Sequence, residues 1–222
     1  MLQISFLCGM LRIIKANPYF FIPFLLFLLT GGFALTYFGS AALFLQVNAR
    51  HTPAADIFFT YFSWLGEGLT AAAISITLLF LNRKAGYASI AAFLLSSGTA
   101  QALKHFVFDD VYRPREYFSK LKQPIRLIEG LEVHSANSFP SGHSTTAFAI
   151  FCIFAIMSRR RQQGLLFFVL AMGAAFSRVY LSQHFPADVY AGACIGTFWA
   201  VICWWWFHER KPVAAEPVAM AD

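Results

Sequence analysis

Long apolar runs separated by short polar connections dominate the chain. A helix needs roughly 20 apolar residues to cross the hydrocarbon core of a bilayer. By that measure the sequence predicts six membrane helices, at about 19–46, 68–81, 87–106, 144–157, 165–181 and 187–207. The first run is longer than a perpendicular span requires, and Gly31-Gly32 is its candidate bend. The second run is short, and we expect Gly66 and Glu67 to extend it.

Two further segments have a helical pattern outside the predicted spans. Residues 2–14 are predicted to form an amphipathic helix on the cytoplasmic membrane surface. Thr52 and Pro53 predict another helix start, with threonine as N-cap and proline in the first turn. Helical spacing then continues through five apolar positions, and we expect this helix to lie on the outer leaflet: Ile57, Phe58, Tyr61, Phe62 and Leu65.

The remaining segments are polar. Residues 109–140 form a long loop of mixed charge, and loops of that length are usually functional or disordered. Residues 209–222 are rich in proline, alanine and glutamate and are predicted to be a disordered cytoplasmic tail. The sequence therefore predicts an all-α membrane protein with one six-helix domain over residues 1–208.

Composition excludes a soluble enzyme. Hydrophobic residues make up 58% of the 222 residues and charged residues 13%, with a mean hydropathy of +0.58. Soluble domains are roughly 45–50% apolar and about 25% charged. The net charge of +6 favours contact with anionic lipid in a chain this apolar, and no base-stacking basic motif indicates nucleic acid. Four cysteines lie in apolar stretches without metal or disulfide spacing: Cys8, Cys152, Cys194 and Cys203.

Lysine and arginine placement predicts the orientation. If six helices alternate, four basic clusters share one side: Arg12 with Lys15, Arg83 with Lys84, residues 159–161, and Arg210 with Lys211. Short loops rich in Lys and Arg face the cytoplasm. We therefore expect both termini in the cytoplasm and the long polar loop outside.

Six chemically active residues fall at the opposite, outer ends of the predicted helices. Ionisable groups inside or at the ends of membrane helices are costly and are functional by default. These residues are three cations, two histidines and one carboxylate: Lys104, Arg113, Arg178, His143, His184 and Asp188. Hydropathy alone does not require them to share one face, so their clustering indicates a site.

This set of residue types suits a phosphate ester. The three cations can neutralise phosphoryl oxygens, with arginine offering bidentate contacts. Ser141 and Gly142 precede His143 at a helix N-terminus, where free backbone N–H groups bind anions. Asp188 lies four residues beyond His184 and can hold one imidazole nitrogen while the other acts as nucleophile. His143 can protonate the leaving oxygen.

The same residues carry a family resemblance. Two segments resemble motifs two and three of the type-2 phosphatidic acid phosphatase family: Pro140-Ser141-Gly142-His143 and Ser177-Arg178-x5-His184-x3-Asp188. Lys104-x8-Arg113-Pro114 resembles motif one, which usually has six residues between lysine and arginine. Members of this family are integral membrane lipid phosphatases, and bacterial acid phosphatases and vanadium haloperoxidases share their active-site plan.

The resemblance implies a role for each matched residue. His184 would be the phosphorylated nucleophile, Asp188 its orienting partner, and His143 the general acid and then the base toward water. Five residues would bind the phosphoryl group: Lys104, Arg113, Ser141, Gly142 and Arg178. No metal and no cofactor are implied. The site would face the periplasm from the bacterial inner membrane and act on phosphatidic acid, phosphatidylglycerol phosphate, undecaprenyl pyrophosphate or lipid A phosphates.

Three alternatives differ from a hydrolase. A lipid phosphotransferase would use the same histidine chemistry with a lipid acceptor, and nothing in the sequence separates it from a phosphatase. A vanadate-dependent haloperoxidase is disfavoured by the membrane spans, and a non-catalytic transporter by the confinement of the charges to one face. The oligomeric state stays open.

Other polar residues have simpler interpretations in the sequence. Asp109-Asp110 is interpreted as a solvated loop and Glu67 as a helix cap. Four histidines are interpreted as ordinary caps: His51, His105, His134 and His208.

Overall fold

The computed structural model describes residues 2–209, with side chains from Phe6 onward. This part of the chain contains no strand, which confirms the all-α prediction. Its helices are α1 Leu2–Ala16, α2 Pro18–Phe38, α3 Ser40–Asn48, α4 Pro53–Phe62, a 3-10 turn Ser63–Gly66, α5 Gly68–Leu81, α6 Arg83–Phe106, α7 Pro114–Lys120, α8 Gly142–Met157, α9 Gln163–Tyr180 and α10 Pro186–His208. The tail predicted for 209–222 lies, beyond Glu209, outside the described residues.

Among residues 2–209, three helices are long and apolar enough to cross a membrane, namely α2, α9 and α10. The segment from α4 to α5 qualifies as a fourth if its two parts, bent by 49°, are one broken span. Helix α8 is apolar but has only 16 residues, and α6 has 24 residues with small and polar side chains along its length. The chain is therefore a membrane protein by helix length and composition, and six spans stay a prediction.

The first apolar run is divided, and the predicted bend lies in the wrong place. The break between α2 and α3 falls at Gly39, whose φ of +78° is a conformation that glycine adopts at little steric cost. Gly31 and Gly32 instead lie inside α2, against the ring of Tyr190 on α10. Their missing side chains make room for this ring, whose hydroxyl donates to the Leu28 carbonyl at 2.9 Å.

The second predicted span also differs from its expected form. Gly66 and Glu67 do not extend α5, because residues 63–66 form a 3-10 turn and Glu67 has extended backbone angles. The corner formed by residues 63–67 packs directly on α8. A Cβ at Gly66 would lie 2.8 Å from the carbonyl oxygen of His143, so the close approach requires glycine.

Helix α8 is the buried centre of the bundle, and every residue from Ser144 to Ile153 is buried. Its neighbour α10 presents Gly192 and Gly196 to it. A Cβ at Gly192 would lie 2.6 Å from the Ser141 carbonyl oxygen. Small residues of this kind let membrane helices pack with their backbones close together. This packing fixes the first turn of α8 beside the first turn of α10.

A polar cluster connects the long loop of residues 109–140 to the bundle. Asp56 accepts hydrogen bonds from Tyr180 at 2.7 Å and Arg126 at 2.8 Å. His51 pairs with the same carboxylate at 3.1 Å and stacks on the Tyr180 ring, so its interpretation as a cap is wrong. The predicted N-cap of α4 is confirmed, because the Thr52 side chain accepts from the backbone N–H of Ala55. We call His51, Asp56, Arg126 and Tyr180 the Asp56 cluster.

Candidate active site

The six candidate site residues from the sequence meet at one end of the bundle. Helices α6 and α9 end there, while α8 and α10 begin there. Lys104 and Arg178 lie in the last turns of α6 and α9. His143 lies in the first turn of α8 and Asp188 in the first turn of α10, with His184 and Arg113 in the loops before α10 and α7.

His184 and Asp188 form a buried pair. Nδ1 of His184 lies 3.2 Å from Oδ2 of Asp188, and the two residues are 2% and 3% exposed. The same oxygen accepts the Phe185 backbone N–H at 2.9 Å and the Ser138 hydroxyl at 2.5 Å. A carboxylate acceptor places the imidazole proton on Nδ1 and leaves the lone pair of the neutral ring on Nε2. Ser138, which comes from the long loop of residues 109–140, was not predicted.

The surroundings of His184 keep its ring neutral. Burial lowers the pKa of His184 well below its ordinary value of 6.5, and the charges of Arg113, Arg178 and Lys104 lower it further. A hydrogen bond with the Ser138 backbone acts in the opposite direction. His184 therefore carries a free lone pair at neutral pH.

Arg113 is held by the loops around it. Its Nε donates to the Ala136 carbonyl at 3.0 Å, and Nη1 donates to the side-chain oxygen of Gln183 at 3.2 Å. Burial lowers the pKa of Arg113, while Asp188 raises it, and a guanidinium stays protonated in proteins. Gln183 directly precedes His184, so this contact connects the first motif to the third. The sequence indicated no role for Gln183.

Lys104 and Arg178 lack an ion-pair partner among the described residues. Lys104 is 7% exposed, and Nε of Arg178 is buried without a hydrogen bond. Within residues 2–209, neither side chain forms a hydrogen bond or an ion pair. Both charges act on each other and on Arg113. Buried charges normally have a partner, so this end of the bundle has an excess of positive charge suited to an anion.

The N-terminus of α8 adds backbone donors. Ser141 is the N-cap: its hydroxyl oxygen accepts the Ser144 N–H at 3.4 Å, and its own N–H donates to the Asp188 carbonyl at 2.9 Å. The first intrahelical bond runs from the Thr145 N–H to the Ser141 carbonyl. The N–H groups of Gly142 and His143 precede that bond and can donate to an anion.

His143 has a carboxylate partner that the sequence interpretation missed. Nε2 of His143 lies 2.8 Å from Oε2 of Glu67. The interpretation of Glu67 as a helix cap is wrong, because its side chain makes no capping hydrogen bond at the start of α5. The signal available in the sequence was a carboxylate at the outer end of a predicted span.

An apolar groove of about 400 Å³ opens beside Asp188. Its lining is mainly aromatic: Phe108, Tyr112, Tyr117, Phe139 and Phe185. An apolar surface therefore lies directly beside the charged residues of the site. Among the described residues, no group of three or more His, Cys, Asp or Glu side chains could hold a metal ion.

The part of the chain that contains the candidate site resembles known proteins. A family model described as the PAP2 superfamily matches residues 30–212. A lipid A 1-phosphatase of Rhizobium johnstonii is 40% identical over 70 residues, which cover 31% of this chain and 28% of that relative.

Two solved structures have the same fold. The crystal structure of Aquifex aeolicus LpxE is 29% identical with a TM-score of 0.63, covering 72% of this chain and 92% of that one. A transmembrane PAP2-type phosphatidylglycerolphosphate phosphatase from Bacillus subtilis is 22% identical with a TM-score of 0.59, covering 86% and 96%. The family model covers most of the sequence, and the chain belongs to the PAP2 superfamily.

Proposed function

We propose that this protein hydrolyses the phosphate monoester or diphosphate of a membrane lipid through a phosphohistidine at His184. The observation that carries the proposal is a set of three cations, Lys104 and Arg113 buried and Arg178 half-buried, around a neutral histidine that Asp188 holds by Nδ1. Two of these cations, Lys104 and Arg178, have no protein partner in the described chain. A phosphoryl group supplies the missing negative charge.

In the first step, Nε2 of His184 attacks phosphorus, and the bond from phosphorus to the leaving oxygen of the lipid breaks. The three cations and the free N–H groups of α8 bind the non-bridging oxygens. His143 donates a proton to the leaving oxygen. The phosphorylated imidazole becomes positively charged, and the Asp188 carboxylate stabilises that charge through Nδ1–H.

In the second step, water attacks the phosphohistidine. His143, now neutral, takes a proton from this water, so that it returns to its protonated form. The bond from Nε2 to phosphorus breaks, inorganic phosphate leaves, and His184 is again neutral. The two steps consume one water and release one alcohol or lipid monophosphate and one phosphate.

Three observations support a lipid substrate. The site lies at the end of helices able to cross a membrane, and an aromatic groove lies beside Asp188. One matched relative is a lipid A 1-phosphatase. We place the site at the outer face of a bacterial inner membrane, on the side opposite the basic connections, in line with the positive-inside rule.

A substrate panel tests this proposal. The full-length protein in detergent would be assayed for phosphate release from phosphatidic acid, phosphatidylglycerol phosphate, undecaprenyl diphosphate and lipid A, with EDTA present. We expect phosphate release from at least one lipid, and none from His184→Ala. Phosphate appearing on a second lipid instead of in solution would indicate a phosphotransferase. Activity lost with EDTA and restored by magnesium would contradict the mechanism.

A further inference from the structure

Glu67 lies where it can act on the chemistry of His143. Its Oε2 is 2.8 Å from Nε2 of His143. The corner that carries Glu67 is fixed against α8, since Gly66 leaves no space for a Cβ beside the His143 carbonyl. The carboxylate is half-exposed at the mouth of the site, and its charge also acts on Arg178.

We propose that Glu67 is the positioning residue of the general acid: it holds the proton of neutral His143 on Nε2, directs Nδ1 toward the leaving oxygen, and stabilises the protonated ring. This inference rests on the proposed function, in which His143 donates a proton. The arrangement mirrors the other histidine, where Asp188 holds Nδ1 of His184 and leaves Nε2 to react. Each imidazole thus has one carboxylate on one nitrogen.

Burial first, and then the charges around His143, lower the pKa of this residue, which explains why such a partner is needed. The groups that face it come from four parts of the chain besides the Glu67 corner: Arg178 of α9, Lys104 of α6, and Arg113 and His184 from the loops before α7 and α10. Three of these groups are cations, which oppose a positive charge on a nearby imidazole. A carboxylate within hydrogen-bond distance favours the protonated ring that the first step requires.

Two aryl phosphates test this role. Phenyl phosphate has a more basic leaving group than p-nitrophenyl phosphate and depends more on a general acid, while the two molecules are otherwise similar. In Glu67→Gln, we expect the first-turnover release of phenol to slow at least about tenfold more than that of nitrophenol. Glu129→Gln is the matched control, because this exposed residue of the outer loop has no side-chain partner in the described structure.

A second measurement does not depend on turnover. In protein labelled with 15N-histidine, with His143 assigned by its loss in His143→Gln, NMR reports the tautomer and the pH of deprotonation. We expect the Nε2–H tautomer in the wild type, and a lower deprotonation pH for His143 in Glu67→Gln than in the wild type. Glu129→Gln should leave both unchanged.

Three results would overturn the inference: an unchanged titration of His143, equal slowing of both aryl phosphates, or faster turnover of Glu67→Gln. The last would mean that the carboxylate occupies the anion site and competes with phosphate. A wild-type protein inactive on every lipid of the panel would contradict the proposed function instead. The NMR titration would still decide whether Glu67 controls the proton of His143.

Discussion

Asp188→Asn tests whether the negative charge beside His184 drives the formation of the phosphohistidine. The ring becomes a cation when Nε2 attacks phosphorus, and Oδ2 of Asp188 lies 3.2 Å from Nδ1. At an effective dielectric constant of about 20, the attraction between unit charges at that distance is about 5 kcal/mol. Because Asp188 is only 3% exposed, solvent screens this attraction little. Its loss corresponds to a rate reduction of roughly 1,000-fold or more.

The assay is the pre-steady-state burst of nitrophenol from p-nitrophenyl phosphate, which reports the attack step. Ser138→Ala is the control, because it removes one hydrogen bond to Oδ2 and keeps the charge. We expect that variant to slow the burst by about 10- to 150-fold, in keeping with the roughly 1.5–3 kcal/mol of a single hydrogen bond to a charged group. A burst in Asp188→Asn as fast as in Ser138→Ala, with both proteins folded, would refute the electrostatic reasoning.

Three further predictions follow from the site and its surroundings. Lys104→Ala should reduce turnover as severely as Arg178→Ala, because neither cation has an ion-pair partner among the described residues. Steady-state kinetics on a lipid phosphate would show a mild effect if the first motif is misassigned. His143→Ala should keep the nitrophenol burst. The rate of the first turnover of a lipid monophosphate should fall roughly 100- to 10,000-fold, because its alkoxide leaving group needs a proton. Loss of the burst would contradict the role of His143 as general acid. Asp56→Asn should lower the free energy of unfolding by about 2 kcal/mol, because the Asp56 carboxylate contacts His51, Arg126 and Tyr180. The burst rate should change little, because the Asp56 cluster lies outside the site. An unchanged melting temperature in detergent would contradict this prediction.

The sequence predicted the parts of the site that depend on short spacings. His184 and Asp188 are four residues apart, and their side chains lie in hydrogen-bond contact. The apolar runs predicted the helices that bring distant motifs to one end of the bundle. The Thr52-Pro53 start was also readable, since capping depends on residues three positions apart.

Contacts between distant segments were not predictable in this way. Ser138 meets Asp188 across 50 positions, and Gln183 meets Arg113 across 70. Serine and glutamine are common in polar loops, so nothing in their local pattern marks them. Glu67 was misinterpreted because a carboxylate before a helix usually caps it, whereas here the bend of the chain turns the side chain toward His143.

The break in the first apolar run was missed for a related reason. Hydropathy is continuous from α2 into α3, and glycine occurs at several positions along the run. The chain breaks at Gly39, while Gly31 and Gly32 serve the packing of Tyr190 from α10. A hydropathy pattern does not say which glycine needs a positive φ and which needs a close neighbour.

The most direct test of the central claim is to trap the covalent intermediate. The protein would be mixed with 32P-labelled lipid phosphate from the active member of the panel, quenched in alkali, which preserves phosphohistidine, and digested for mass spectrometry. The mechanism predicts label on the peptide containing His184, present in Ser138→Ala and absent in His184→Ala. Label on His143, or turnover of the lipid by His184→Ala, would contradict the mechanism.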